Sequence, residues 1–105
     1  MRLLDSSGLL VVAAGTTQAT ATLLINGMNG ILTAAANSGV ILNANSLTSD
    51  CQLVYNGGAN PVKVYPPVGS KINALAINAP HTLATNTACI FWFLSDTQIL
   101  GVLSA

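Results

Sequence analysis

Residues 53–73 read LVYNGGANPVKVYPPVGSKIN, and the fold class follows from how this stretch is parsed. Val62-Lys63-Val64-Tyr65 alternates apolar and polar side chains, the pattern of a strand with one buried and one wet face. Lys63 is therefore expected to point outward. Upstream, residues 51–56 (CQLVYN) carry the β-branched and aromatic side chains that suit a pleated surface. Between the two runs, Asn56-Gly57-Gly58 supplies residues that tolerate positive φ, which predicts a hairpin joining strands 51–56 and 62–65. Pro66-Pro67 ends the second strand, since neither residue donates to a sheet ladder and both fix φ.

Working outward, further short runs of strand-forming residues fall at 9–14, 19–26, 30–34, 39–43, 88–94 and 98–103, punctuated by Asn, Gly, Ser and Pro. Residues 33–36 (TAAA) hold one turn's worth of helix propensity, and Asn37-Ser38-Gly39 stops it. The pattern predicts an all-β, single-domain β-sandwich or jelly roll of about eight short antiparallel strands over residues 9–105, preceded by an N-terminal arm, residues 1–8. Alternation in Thr20-Ala21-Thr22-Leu23 places the Thr side chains outward. Val11-Val12-Ala13-Ala14 and Ile90-Phe91-Trp92-Phe93-Leu94 show no wet face, so each is expected to be covered on both sides, by the second sheet and by a loop or another subunit. No internal repeat is visible.

Composition narrows the function. The chain has 105 residues, three basic and three acidic side chains, and 51% apolar residues. Charged residues make up 6%, against about 25% in ordinary soluble domains. Arg2, Lys63 and Lys71 are the cations, too few to neutralise a row of phosphates, so no nucleic-acid partner is expected. Mean hydropathy is +0.62, yet the apolar runs are far shorter than the roughly 20 residues of a spanning helix, and no membrane partner is expected. Asp5 interrupts the approach to the apolar run at 9–14, which argues against a leader peptide and for synthesis in the cytoplasm. A net charge of zero favours self-association, as a homo-oligomer of two or three copies.

Catalytic machinery is sparse. His81 follows Pro80 in an expected loop, where a surface or subunit-contact role is the plainest reading. Asp5, Asp50 and Asp96 are widely spaced, there is no Glu, and no G-x-S-x-G elbow accompanies the His. No enzymatic activity, metal or cofactor is expected. Cys51 and Cys89 fall in separate strands and read as small buried hydrophobes, with a disulfide between strands as the lesser alternative. Trp92 shares a strand face with Ile90 and Leu94, which favours its burial over display to a sugar.

The stretch at 53–73 resembles a recurring block in small virion proteins of tailed bacteriophages: a strand ending in N-x-G, a short turn, then V-x-V-Y-P-x-x-G-x-x-I-N. Asn56, Gly58, Val62, Val64, Tyr65, Pro66, Gly69, Ile72 and Asn73 stand at the matching places, with Gly57 and Pro67 inside the block. Weaker similarity extends over residues 18–24, 39–42 and 88–93. The chain departs from the pattern at Ala74, Asn43 and Ile99, where the family favours Gly, Pro and an aromatic residue. The resemblance implies a sandwich or jelly-roll head decoration (cement) protein, made in the host cytoplasm, bound to the major capsid protein on the outer surface of the virion, with no catalytic residue. A receptor- or carbohydrate-binding domain of a phage fibre or tail is the alternative. Met1, Arg2, Leu3 and Leu4 are expected to lie as an arm on a neighbouring copy or on the capsid, with Leu3 and Leu4 buried and Arg2 meeting a carboxylate or carbonyl.

Overall fold

A computed structural model describes residues 10–25, 27–43 and 50–103, and in it the chain winds back and forth between two sheets. Its strands are β1 (Leu10–Ala13), β2 (Thr22–Leu23), β3 (Met28–Ala34), β4 (Gly39–Ile41), β5 (Cys51–Asn56), β6 (Val62–Tyr65), β7 (Lys71–Ile72), β8 (His81–Leu83), β9 (Thr87–Phe93) and β10 (Gln98–Leu103). One sheet has the order β1-β3-β5-β9-β10-β7, the other β2-β4-β6-β8. The all-β expectation holds, and the bounds of β5, β6 and β10 are those read from the sequence. Of the expected strand at 19–26, the described residues 19–25 form only the short β2, and β7 and β8 lie in stretches expected to be loop. Met1, Arg2, Leu3 and Leu4, with the rest of the expected arm, lie outside the described residues.

Two expectations about connectivity are overturned. The first is antiparallel pairing throughout: β1 with β3, β3 with β5, β2 with β4, β4 with β6, and β10 with β7 all run parallel. The second is the hairpin, because β5 and β6 belong to different sheets. Three successive passes (β1 to β2, β3 to β4, β5 to β6) each take one strand from each sheet, which makes a solenoid-like winding. Leu10 lies beside Gly30 and Gly30 beside Tyr55, while Thr22, Val40 and Val64 align in the other sheet. The chain thus has a spatial repeat of about twenty residues, as in solenoids, although no repeat of residue types marks it. The last third then reverses. β8 runs antiparallel to β6 and β9 antiparallel to β5, so the β8 to β9 pass retraces the third coil backwards before β10 closes the large sheet.

Asn56 explains why the expected hairpin is a corner. Its side-chain Oδ1 accepts from the Gly58 N–H at 3.0 Å, an Asx-type turn, and its Nδ2 donates to the carbonyls of Asn60 (2.9 Å) and Leu83 (3.0 Å). Residues 57–61 then cross the roughly 10 Å gap between sheets instead of reversing. Positive φ falls at Gly15, Asn37, Gly69, Asn73, Asn78 and Asn86, not at Gly57 or Gly58. A Cβ at Gly57 would stand 2.8 Å from the Tyr55 ring and 2.9 Å from Leu32 Cδ2, so these two exposed side chains would have to shift to admit it. Its N–H donates to the Ile31 carbonyl at 2.8 Å, which ties this corner to β3.

The core lies between the sheets. Ile31, Val54, Phe91 and Ile99 from the large sheet meet Val40, Val62, Val64 and Leu83 from the small one, all essentially without exposure. Lys63 points outward between buried Val62 and Val64, as expected. In β2 the expected facing is inverted. Thr22 aligns with buried Val40 and donates to the Val12 carbonyl at 2.8 Å, while Leu23 faces solvent.

Candidate interaction surface

The alternation of β5 and β9 produces two unlike faces. Gln52, Val54 and Asn56 of β5 and Cys89, Phe91 and Phe93 of β9 are buried against the small sheet. The opposite set points away from the core: Cys51, Leu53 and Tyr55 on β5, with Ala88, Ile90 and Trp92 on β9. Cross-strand register aligns them in rows. Met28, Leu53, Ile90 and Val102 run across four strands, Cys51, Trp92 and Leu100 across three, and Gly30 continues into Tyr55 and Ala88. Leu32 and Val12 extend the face toward β1, where a register irregularity interrupts the β1–β3 pairing. These rows contain no charged side chain. The run Ile90-Phe91-Trp92-Phe93-Leu94 is thus covered on one side only: Trp92 and Ile90 are half-buried and Leu94 is exposed.

Buried amides fix the geometry beneath this face. Gln52 Nε2 donates to the Leu24 carbonyl (3.0 Å) and its Oε1 accepts from the Asn43 N–H (2.9 Å), joining the ends of the first and second coils. Asn56 does the same at the other end of β5, and its carbonyl accepts from the Asn86 N–H at the β8 to β9 corner. Gln52 was not singled out in the sequence. Its signal was a polar residue two positions before Val54, in phase with Asn56 on the inner face.

The second half of the 53–73 stretch braces an exposed loop. Val64 and Ile72 are fully buried, and Tyr65, Pro66 and Pro67 are also buried. Tyr65 OH donates to the Thr16 carbonyl (3.2 Å), and Pro66 accepts from Gln18 Nε2 (2.8 Å). The same Nε2 reaches Asn78 Oδ1 (3.2 Å), which also accepts from the Gly69 N–H (2.7 Å). Asn73 holds β10 through its amide, with Oδ1 accepting from the Gly101 N–H at 2.9 Å. The loop bears Val68, 77% exposed, and Ile77, 61% exposed.

His81 is half-buried, with its ring turned toward the space between the sheets. It aligns with buried Val64, and its ring meets Phe91 edge-on with centroids 6.0 Å apart. Its Nε2 is buried without a hydrogen-bond partner. Burial lowers its pKa, so the imidazole is neutral near pH 7. Both cysteines are free thiols. Cys51 shares a face with Trp92 while Cys89 shares the inner face with Phe91, so they point to opposite sides of one sheet and cannot be bridged. Burial pushes the Cys89 thiol up to about 11 and also raises that of Cys51. Neither is a thiolate nucleophile at neutral pH.

A depression of about 310 Å³ opens on the small sheet beside Lys63, lined also by Ala36, Asn37, Asn60, Pro61 and Thr82. It contains no carboxylate and no ring on which a sugar could stack, and Asn60 Nδ2 is engaged by the Ala34 carbonyl at 3.0 Å. Among the described residues no three His, Cys, Asp or Glu side chains converge on a metal site. The chain matches no family model, no curated protein and no solved structure. The large sheet's outer face and the loop carrying Val68 and Ile77 are what the fold offers to a partner.

Proposed function

We propose that this chain is a structural subunit of a tailed-phage virion, a decoration protein that binds the assembled major capsid protein on the outside of the head. One observation carries the reading. The surface of the described residues has four charged side chains (Asp50, Lys63, Lys71 and Asp96) and twelve large apolar side chains at 38% exposure or more. A free monomer with such a surface associates readily, whereas a subunit covered on several sides loses nothing by it. The resemblance of residues 53–73 to a block in small virion proteins names the assembly. Such a subunit acts through contact free energy: it binds across seams of the intact shell and not to dispersed capsid protein, so it stabilises the shell by mass action. Repeated copies on a symmetric lattice turn weak contacts into durable ones.

The test is co-sedimentation of the purified protein with empty capsid shells of the phage that encodes it, prepared without the decorating chain. The reading predicts saturable binding in a fixed ratio to capsid subunits and a higher temperature of shell rupture. Shells that stay bare at saturating protein overturn it.

A further inference from the structure

We propose that the outer face of the six-stranded sheet is a dimer interface, covered by the same face of a second copy packed about a two-fold axis. The inference rests on the face itself and holds whether or not the protein decorates a capsid. In a two-fold contact one patch must be complementary to itself. The central rows, Met28-Leu53-Ile90-Val102 and Cys51-Trp92-Leu100, satisfy this because they hold no charge that would meet its like across the axis. A twisted sheet with an apolar face also packs readily on another at about 10 Å, as the two sheets within this subunit already do.

Area is sufficient. Six strands at ~4.8 Å spacing, the longest of about 23 Å, span on the order of 550 Å² in projection, and side-chain relief brings the accessible area near the ~800 Å² per partner of a standard interface. The layout matches that of an interface too. Ile90 sits in the middle row with Trp92 beside it in the next, while Lys71 and Gln98, aligned on β7 and β10, form a polar margin. Edge-to-edge pairing at the β7 side is disfavoured, because that edge strand is two residues long and carries Lys71.

Trp92 is the sole tryptophan, so its emission reports on this face alone. Sedimentation velocity and Trp emission are followed together on dilution from about 100 µM. The expected result is a dimer that dissociates with a red shift of the emission and greater quenching by acrylamide. Ile90→Lys should remain monomeric at every concentration with the wild-type far-UV spectrum, and Ile77→Lys, on the exposed loop, should dimerise as the parent does. If Ile90→Lys fails to fold, Val102→Lys, already 50% exposed, reads the same contact. A wild-type monomer at the highest concentration, a trimer, or an Ile90→Lys or Val102→Lys variant that dimerises normally overturns the proposal.

Discussion

Asn56 holds the corner between β5 and β6 together. With no exposure, it satisfies the Gly58 N–H and the carbonyls of Asn60 and Leu83 while its own carbonyl serves Asn86. Truncating it leaves the buried Leu83 carbonyl without its partner, at about 1–3 kcal/mol, and the part-buried Gly58 N–H and Asn60 carbonyl at less each, since water reaches them. Asn56→Ala should therefore lower stability by about 2–4 kcal/mol in urea unfolding. Asn56→Asp should cost at least as much at pH 7, since it turns a donor facing two carbonyls into a buried charge; an unchanged midpoint for either variant contradicts the corner's role. His81 makes the second residue-scale prediction. Its folded pKa lies below the ordinary 6.5, so the unfolded chain binds the proton more tightly. The stability that goes with the neutral ring is present above about pH 6.5 and is lost as pH falls through the lower folded value. The thermal midpoint should decline as pH falls from about 6.5, and His81→Phe should flatten that decline. A wild-type midpoint constant across this range would count against the placement of His81.

Among the elements, Gly101 shows how closely β9 and β10 pack. It lies opposite Phe91 on the inner face, where a Cβ would come within 3.2 Å of Cys89 Sγ and 3.3 Å of the Phe91 ring. Gly101→Val should destabilise by about 1–3 kcal/mol through overpacking, measured by denaturant midpoint. The strands themselves were largely legible: the runs at 51–56, 62–65 and 98–103 have the β-branched content and turn-forming borders that fix strand ends. β7 and β8 were not, because two or three residues such as Lys71-Ile72 carry no period. Pairing direction was hidden for a different reason. Asn56-Gly57-Gly58 favours a turn, but whether that turn reverses the chain or carries it across to a facing sheet depends on partners at Ile31, Leu83 and Asn86, distant in sequence. The outer face of the large sheet was half legible. The unbroken apolar run at 90–94 led to an expectation of cover on both sides, of which the structure shows one, while the register that lines Met28, Leu53, Ile90 and Val102 into one row comes only from parallel and antiparallel neighbours that the sequence does not name.

Taken whole, the pairing scheme predicts a molecule stiffest where the reversed pass clamps the third coil and loosest at its first coil. β1 pairs with β3 and β2 with β4, and among the described strands neither has a second neighbour. Stability in solenoid-like stacks is a sum of neighbour terms, so an end coil opens first. Amide exchange should be fastest in Leu10–Ala13 and Thr22–Leu23 and slowest in Cys51–Asn56 and Thr87–Phe93; uniform protection would show that something else covers the first coil. The same architecture leaves a broad apolar sheet face and the loop bearing Val68 and Ile77 outside the core, with few charges to keep copies apart. The proposed role as an assembly subunit would put such a surface to use. The most direct measurement is a cryo-electron reconstruction of capsid shells incubated with the purified chain. The account predicts added density at symmetric positions on the outer surface, sized for this fold, with the Trp92 face or the Ile77 loop in contact with protein. Bare shells, or density in which both surfaces face solvent, would contradict it.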